Sequence, residues 1–385
     1  MLKKEKLIIV LVLLCFSLKA QDKSEKELES QIDSIGLKID ETLTNLDKSY
    51  VNQLYDIQAL SELFLVESKN KRIQKFNKEF YTGFRENFDF GNILLREIEA
   101  GASYDYLGYE KSDDGGYKLL FRLYGEGLNY HKHILKYING EFKIVDTYIA
   151  LSGENISDSF GSIYKGVLFK SGLFPKLGKQ NGKGTLTDLF IIQKIKKLQA
   201  EGKFEEAYEL FGTLSDEGKN KKIYKIVNLM IAAELNDEDK YLDAIKSYED
   251  QFPNDVSLYL VSIDGYILKK KYDKALETIN NLDKAVGGDS FLNFMKGNIY
   301  YLKKNYELSE KLFLETTEEY PSFFEAFDSL LSVYIETDKT QEALGILDVM
   351  IKEFELTKEL LGSLVEENFP NFSKKEEVIE WLKQK

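Results

Sequence analysis

The sequence predicts an α+β N-terminal domain, with helices on an antiparallel β-meander, followed by an all-α solenoid of helical hairpins. Three observations predict this order. Apolar residues recur every three or four positions from residue 23 to about residue 98, the period of amphipathic helices. Short apolar segments separated by Gly- and Asp-rich turns follow between residues 104 and 150, which indicates antiparallel strands. From residue 186 onward, small and aromatic residues repeat with a period of about 34 positions.

Length and charge set the first bounds on function. With 385 residues, 43% of them hydrophobic, the chain can form more than one core. Its net charge is −13, from 65 acidic and 52 basic residues. Because nucleic-acid binding needs clustered Lys and Arg, we expect no nucleic-acid partner. Basic or neutral proteins are the partners that this charge favours.

Residues 1–20 have the pattern of a secretory signal peptide. Three lysines precede an apolar run from Leu7 to Leu14, which is shorter than the roughly 20 residues of a membrane-spanning helix. We predict cleavage before Gln21 and an exported protein, periplasmic, envelope-associated or extracellular, with no integral membrane segment after cleavage. An uncleaved anchor is the alternative. The single cysteine, Cys15, lies in the signal segment, so cleavage would leave no thiol chemistry.

The N-terminal domain is predicted over residues 21–175. We interpret Asn139-Gly140 as a two-residue hairpin and Gly125-Glu126-Gly127 as a three-residue hairpin. This register turns one face of the sheet toward the helices, because side chains alternate along a strand. The predicted buried residues are Tyr117, Leu119, Phe121, Leu123, Leu135, Tyr137, Phe142, Ile144 and Tyr148. The opposite face, which we expect to meet water, carries Lys118, Arg122, Lys132, Lys136 and Lys143.

A polar cluster on the predicted buried face is a possible ligand pocket. The two histidines of the chain, His131 and His133, stand two positions apart on one strand, and the register places His133 opposite Asp146. Such a group could bind a small molecule or act as a His–Asp acid–base pair. The alternative is a pair that satisfies its own hydrogen bonds inside the core. A fourth ligand is not visible, so we predict no metal site.

The order of elements in this domain resembles the cone-shaped α+β domains of the nuclear transport factor 2-like superfamily. The resemblance covers about residues 23–171, in which helices precede a curved antiparallel meander. It implies a domain that can enclose a cavity.

A linker is predicted at residues 176–185. The run from Ser171 to Gly184 is rich in Gly and Lys, which is typical of a domain boundary. A phosphate-binding loop is not predicted here, because the spacing from Gly178 to Gly182-Lys183 is one residue too short and Gly184 follows instead of Ser or Thr.

The repeated pattern follows over residues 186–356. A small residue recurs at Ala207, Ala244, Ala275, Ser309 and Ala343, with spacings of 37, 31, 34 and 34. The clearest unit has Gly297, Tyr300, Tyr306, Ser309, Phe313 and Pro321 at the positions of the motif. This unit resembles the tetratricopeptide repeat (TPR) family, which implies a TPR-like solenoid. Residues 357–385 are predicted to be capping helices, with Ser373 and Glu376 forming a capping box.

In the TPR family the first helix of each unit lines a concave groove that binds a partner. The resemblance therefore implies the groove residues Leu260, Asp264, Phe294, Asn298, Tyr301, Asp328 and Ser332. One subgroup binds the C-terminal carboxylate of chaperones through lysines, but the matching positions here carry Leu260, Phe294 and Asp328. We expect instead an extended or helical peptide anchored on Phe294 and Tyr301.

The sequence thus predicts an exported TPR-containing scaffold that binds a peptide or protein partner in its groove. No Ser–His–Asp, Cys–His, zinc-finger or dinucleotide motif occurs in it, so we expect no catalytic residue, no cofactor and no enzyme. The alternative is a small-molecule-binding or weakly catalytic α+β domain that uses His131, His133 and Asp146.

Overall fold

A computed structural model describes residues 26–112, 116–125, 127–173 and 181–383, and only the backbone of residues 169, 170 and 181–186. The predicted signal peptide therefore lies outside the described residues. The chain forms two compact units, Met1–Ile231 and Ala232–Lys385, and each is described by itself. Within the described ranges, no helix combines the length and the apolar character needed to cross a membrane.

The first unit begins with amphipathic helices, as the periodicity predicts. Asp56, Asn70 and Asp89 each accept a backbone N–H at the start of a helix, which satisfies donors that have no partner within the helix. The helices are α1 (26–44), α2 (Ser49–Leu54), α3 (Ile57–Glu62), α4 (Lys71–Asn87) and α5 (Phe90–Glu99).

An antiparallel sheet follows, with its strands in the order β1-β2-β3-β4-β5. Its β3–β4 turn is the predicted two-residue hairpin: Ile138 pairs with Glu141, while Asn139 (φ 51°) and Gly140 (φ 93°) both have the positive φ that such a turn requires. The strands are β1 (Ser103–Lys111), β2 (Tyr117–Tyr124), β3 (Leu128–Ile138), β4 (Glu141–Ile149) and β5 (Glu154–Asn155).

One face of this sheet forms the core with the helices. Leu119, Phe121, Leu135 and Ile144 are fully buried among apolar residues of α1, α4 and α5. Two residues depart from the predicted buried face. Tyr137 stands next to the hairpin end and is largely exposed, and Tyr148 lies on the opposite face, because it pairs with Lys132.

The opposite face also differs from its prediction. Arg122 does not meet water but is buried, because it lies between cross-strand neighbours on both sides, Asp105 on β1 and Tyr130 on β3. Its guanidinium donates to the Asp105 carboxylate at 2.8 Å. This ion pair offsets part of the cost of burying the guanidinium, since a buried charge needs a partner.

Helices complete the first unit after the sheet. Tyr164 and Leu168 on α6 join the core of the sheet, and Ile195 on α7 packs with Ala207 on α8 in a separate cluster. Residues 181–185 of the predicted linker belong to α7, residues 174–180 lie outside the described residues, and the predicted domain limits stay predictions. The helices are α6 (Ile156–Lys170), α7 (Asn181–Ala200), α8 (Phe204–Phe211), α9 (Asp216–Lys219) and α10 (Lys222–Glu234), the last of which reaches into the second unit.

The second unit consists of paired helices, which confirms the predicted fold class of an α+β domain followed by a TPR-like all-α solenoid. The helices are α11 (Glu238–Glu249), α12 (Val256–Leu268), α13 (Tyr272–Ala285), α14 (Leu292–Leu302), α15 (Tyr306–Glu319), α16 (Phe324–Glu336), α17 (Thr340–Glu353), α18 (Lys358–Asn368) and α19 (Glu376–Lys383). Helices α12 and α13, α14 and α15, and α16 and α17 pack as consecutive hairpins.

The small residues of the repeat act where the two helices of a hairpin cross. A Cβ atom on Gly297 would lie 2.6 Å from the Phe313 ring, so only glycine allows this approach. The Ser309 hydroxyl donates to the Gly297 carbonyl at 2.9 Å and ties α15 to α14. Residues 256–353 thus form a helical repeat region of the tetratricopeptide type.

Candidate functional site

The predicted pairing of His133 with Asp146 is wrong. The register of β3 and β4 follows the hairpin as far as Leu135 and Ile144 and then shifts, so that His133 faces Thr147 and Asp146 faces Ile134. The shift is a β-bulge at Val145, which adds one residue to β4 and reverses the alternation beyond it. The bulge follows the point at which the chain between α2 and α3 reaches β4, where the Asp56 N–H donates to the Ile144 carbonyl at 2.9 Å.

Asp146 instead ties the sheet to the start of α6. Its carboxylate accepts the Ser157 hydroxyl at 2.5 Å, the Ser157 N–H at 3.2 Å and the Thr147 N–H at 2.8 Å. Burial raises the pKa of the Asp146 carboxyl, and the hydrogen bonds from Ser157 and Thr147 act in the opposite direction. Asp146 is therefore a structural anchor for α6 and does not orient an imidazole.

The two histidines are joined through a tyrosine. The Tyr104 hydroxyl lies 3.2 Å from His131 Nδ1 and 2.9 Å from His133 Nε2. The other nitrogen of His133, Nδ1, lies 2.8 Å from Thr147 Oγ1, which in turn lies 2.7 Å from the Tyr55 hydroxyl. We call this set, with Asn129 at its other end, the inner-face chain.

Asn129 determines the direction of the inner-face chain. Its Oδ1 accepts the backbone N–H groups of Tyr130 (2.9 Å) and Leu151 (2.8 Å), so its Nδ2 is the group that faces His131 Nε2 at 3.2 Å. An amide nitrogen can only donate, so His131 Nε2 accepts and the ring carries its proton on Nδ1.

The remaining donors follow from that assignment. His131 Nδ1–H donates to Tyr104, so the Tyr104 hydroxyl donates to His133 Nε2. His133 then carries its proton on Nδ1 and donates to Thr147 Oγ1, which shares a hydrogen bond with the Tyr55 hydroxyl. With these donors both imidazoles are neutral, and every ring nitrogen has a partner.

Burial reinforces this neutral state. His131 is 4% exposed and His133 is fully buried, and the Phe90 ring lies 5.9 and 5.8 Å from their ring centres. Desolvation lowers the pKa of each imidazole to about 3. A second proton would also place an N–H of His131 against the amide N–H of Asn129. The described part of the chain holds no group of three His, Cys, Asp or Glu side chains that could bind a metal ion.

The predicted groove residues divide into two sets. Asp264, Asn298 and Ser332 occupy equivalent positions, 34 residues apart, on α12, α14 and α16, and all three reach solvent. Tyr301 and Asp328 are also accessible, and we call these five residues the first-helix row. Sequence-based prediction missed Leu268 and Leu302, two largely exposed apolar side chains that are likewise 34 residues apart on α12 and α14. The same repeat period could have revealed them.

The acidic members of the first-helix row are accessible but partly desolvated. Asp264 and Asp328 are solvent-accessible, yet desolvation raises the pKa of both carboxyls, and Glu325 adds to the effect at Asp328. Partial burial raises the pKa of Tyr301 on α14, and the Glu336 carboxylate on α16 adds to this effect. The first helices of these two neighbouring repeats are therefore close to each other at this surface. Burial by neighbouring atoms thus disfavours the charged form of both carboxylates although water still reaches them.

Leu260 and Phe294 do not belong to this surface, which corrects their prediction as groove residues. They are only 7% and 5% exposed. The Phe294 ring packs at 4.8 Å from Phe323 and 5.8 Å from Phe313, between its own hairpin and the start of the next. Phe294 holds a position that binds ligands in the family, but here its ring packs between two repeats. It is therefore not available to anchor a peptide.

No protein-family model matches the chain, and no curated protein matches it. Solved structures with similar folds include the MamA protein, at 12% identity and a TM-score of 0.36, where the match covers 44% of this chain and 92% of that one. Another is a thermophilic TPR protein of Thermus thermophilus, at 16% identity and a TM-score of 0.32, with 43% and 91% covered. The likeness to nuclear transport factor 2-like domains stays a prediction.

Proposed function

We propose that the protein is a scaffold that binds a peptide or protein segment along the first-helix row. The observation that carries this proposal is the recurrence of accessible side chains at equivalent positions of consecutive first helices, Asp264, Asn298 and Ser332. A straight segment of a partner meets such a row once per repeat, so each repeat contributes one contact. Tyr301 supplies an aromatic contact beside them.

The partner segment is basic and partly apolar. Asp264 and Asp328 are carboxylates whose desolvation already disfavours their charge, so a Lys or Arg brought against them relieves that cost. The exposed Leu268 and Leu302 offer apolar surface on α12 and α14. A segment that alternates basic and apolar residues satisfies both features.

The test uses the full chain and synthetic peptides of equal length that alternate Leu with Lys or Leu with Glu. We expect the wild-type protein to bind the Lys peptide and not the Glu peptide. Asp264→Lys with Asp328→Lys should weaken binding of the Lys peptide by about tenfold or more. The matched control reverses two exposed acids of second helices, Asp243→Lys with Glu318→Lys. Equal losses in both variants, or no binding of either peptide, would refute the proposal.

We favour a scaffold without catalytic activity over the alternative α+β ligand or enzyme site. That alternative needed His131, His133 and Asp146 as one group, but Asp146 is engaged by Ser157 and each ring nitrogen of the histidines already has a partner. If His133→Ala changed the affinity for any small molecule without changing stability, this preference would be wrong.

We also propose export, on the signal pattern of residues 1–20. Intact-mass measurement of the protein from its native envelope or culture fluid is expected to show a chain that begins at Gln21. Recovery of peptides that contain Lys3 to Lys6 would support the uncleaved alternative.

A further inference from the structure

A cavity of about 370 Å³ opens between α6, α7 and α10, wholly within the first unit. Its walls come from one side of each helix, and Glu154 of β5 and Lys221, the residue before α10, complete the lining. Its volume lies in the lower part of the range for small-molecule sites, about 300–1,000 Å³. It is separate from both the inner-face chain and the first-helix row.

The walls of this cavity are apolar and accessible. Ile163 and Val167 on α6 are 55% and 43% exposed, and Phe190 on α7 is 56% exposed, while Val227 on α10 lines the same cavity. Large apolar side chains that converge on one concave surface lose their contact with water when a ligand enters. The α6 side of the cavity therefore offers binding energy for an apolar body.

The polar lining is uneven in charge. Burial raises the pKa of the Glu154 carboxyl, and Lys221 acts on it in the opposite direction; the Lys221 ammonium lies 5.4 Å from the Tyr224 ring centre. Lys196 on α7 also lines the cavity, and within the residues that the structure describes its ammonium has no hydrogen-bond or ion-pair partner. Among the described lining residues two lysines stand against one carboxylate, so the formal charge of the lining is positive.

We propose that this cavity binds a small amphipathic monocarboxylate, whose apolar body lies against Ile163, Val167 and Phe190 and whose carboxylate meets Lys196. A carboxylate supplies the negative charge that the lining lacks. A compact apolar chain or ring suits the volume and the walls. The proposal is independent of peptide binding by the first-helix row, because it concerns a different unit of the chain.

The probe is decanoate, titrated into the full-length protein by calorimetry below its micelle-forming concentration. Two compounds with the same ten-carbon chain serve as controls. Decanol has no charge, and decyltrimethylammonium has a positive charge in place of the carboxylate. We expect saturable 1:1 binding of decanoate, weaker binding of decanol and no binding of the cation. Lys196→Gln should weaken decanoate binding by about fivefold and leave decanol unchanged. Lys194→Gln, which removes the same charge from the same helix outside the cavity, is the control.

A second variant tests the apolar wall. Ile163→Glu places a negative charge in the cavity, and the fold should tolerate it because more than half of this side chain is exposed. We expect loss of decanoate binding. Ile93→Glu is the matched control, since Ile93 is 57% exposed and does not line the cavity. Equal effects in either pair of variants, equal binding of the cation, or no saturable decanoate binding would each overturn the proposal.

Discussion

The inner-face chain and the first-helix row both contain polar residues at regular positions, but only one of them is available to a partner. In the inner-face chain, the ring nitrogens of His131 and His133 are all engaged by neighbouring side chains in a buried core. In the first-helix row, Asp264 and Asp328 reach solvent, and desolvation is the largest cause that raises the pKa of each carboxyl. Polar residues that satisfy one another stabilise a fold, whereas accessible and partly desolvated ones leave interactions for a ligand.

Phe294 gives the strongest test of this comparison. Its position in the repeat predicts a groove residue, but the structure buries it in the core. Phe294→Ala should lower the free energy of unfolding of the second unit by about 3–5 kcal/mol, because it empties the space between Phe313 and Phe323. Urea denaturation followed by Trp381 fluorescence reports on this unit. Tyr301→Ala, on the same helix but partly exposed, is the control and should cost much less. A small effect at Phe294 would restore it as a surface anchor.

Acid should destabilise the sheet and not the repeats. The unfolded imidazoles titrate near pH 6.5 and the folded ones near pH 3, so the unfolded state binds more protons throughout that interval. Stability is therefore lost as the pH falls below about 6.5. Between pH 7.5 and pH 5.0 two such groups account for about 4 kcal/mol at most. Tyr55 and Tyr104 face these rings and stay neutral, since burial raises the pKa of each.

Hydrogen exchange of the β3 amides measures this effect at both pH values. His131→Gln removes one titrating group and should halve the pH dependence of sheet stability, whatever it does to stability at pH 7.5. An unchanged pH dependence would show that at least one imidazole is charged or solvated in the folded protein.

The sequence predicts the strand order and the first part of the register, but not the state of the histidines. Turn chemistry at Asn139-Gly140 pairs β3 with β4 correctly as far as Leu135 and Ile144. The bulge at Val145 lies beyond the reach of that local signal, because it accompanies a contact with a segment about 90 residues earlier in the chain, around Asp56. One extra residue was enough to replace Asp146 by Thr147 as the partner of His133.

The repeats show the opposite balance. Their period, their small residues and the Gly297–Phe313 crossing all follow from local spacing, so the hairpins could be predicted in order. Which residues of a first helix are buried could not be predicted in the same way, because Phe323 of the next hairpin covers Phe294. The cavity between α6, α7 and α10 was also beyond prediction, since it depends on how the side chains of three helices pack and on no local motif.

Tyr104→Phe tests whether the inner-face chain is continuous. Deleting this one hydroxyl leaves His131 Nδ1–H and His133 Nε2 without partners in a dry core, so we expect a loss of about 2–3 kcal/mol. Tyr106→Phe is the matched control on the same strand, since its hydroxyl donates to the exposed Asp33 carboxylate and should be worth less than about 1 kcal/mol. Equal costs would mean that the histidines do not depend on Tyr104.

The smallest effect is expected where the proposed function lies. Asp264→Asn and Asp328→Asn should change the free energy of unfolding by less than about 0.5 kcal/mol, as exposed substitutions usually do. The change should be toward higher stability, because desolvation raises the pKa of both carboxyls and the ionised form is therefore disfavoured in the folded state at neutral pH. Asp243→Asn on α11 provides the baseline for an exposed acid outside the row. Clear destabilisation by either row variant would mean that its carboxylate serves the fold, and the first-helix row would then resemble the inner-face chain instead of contrasting with it.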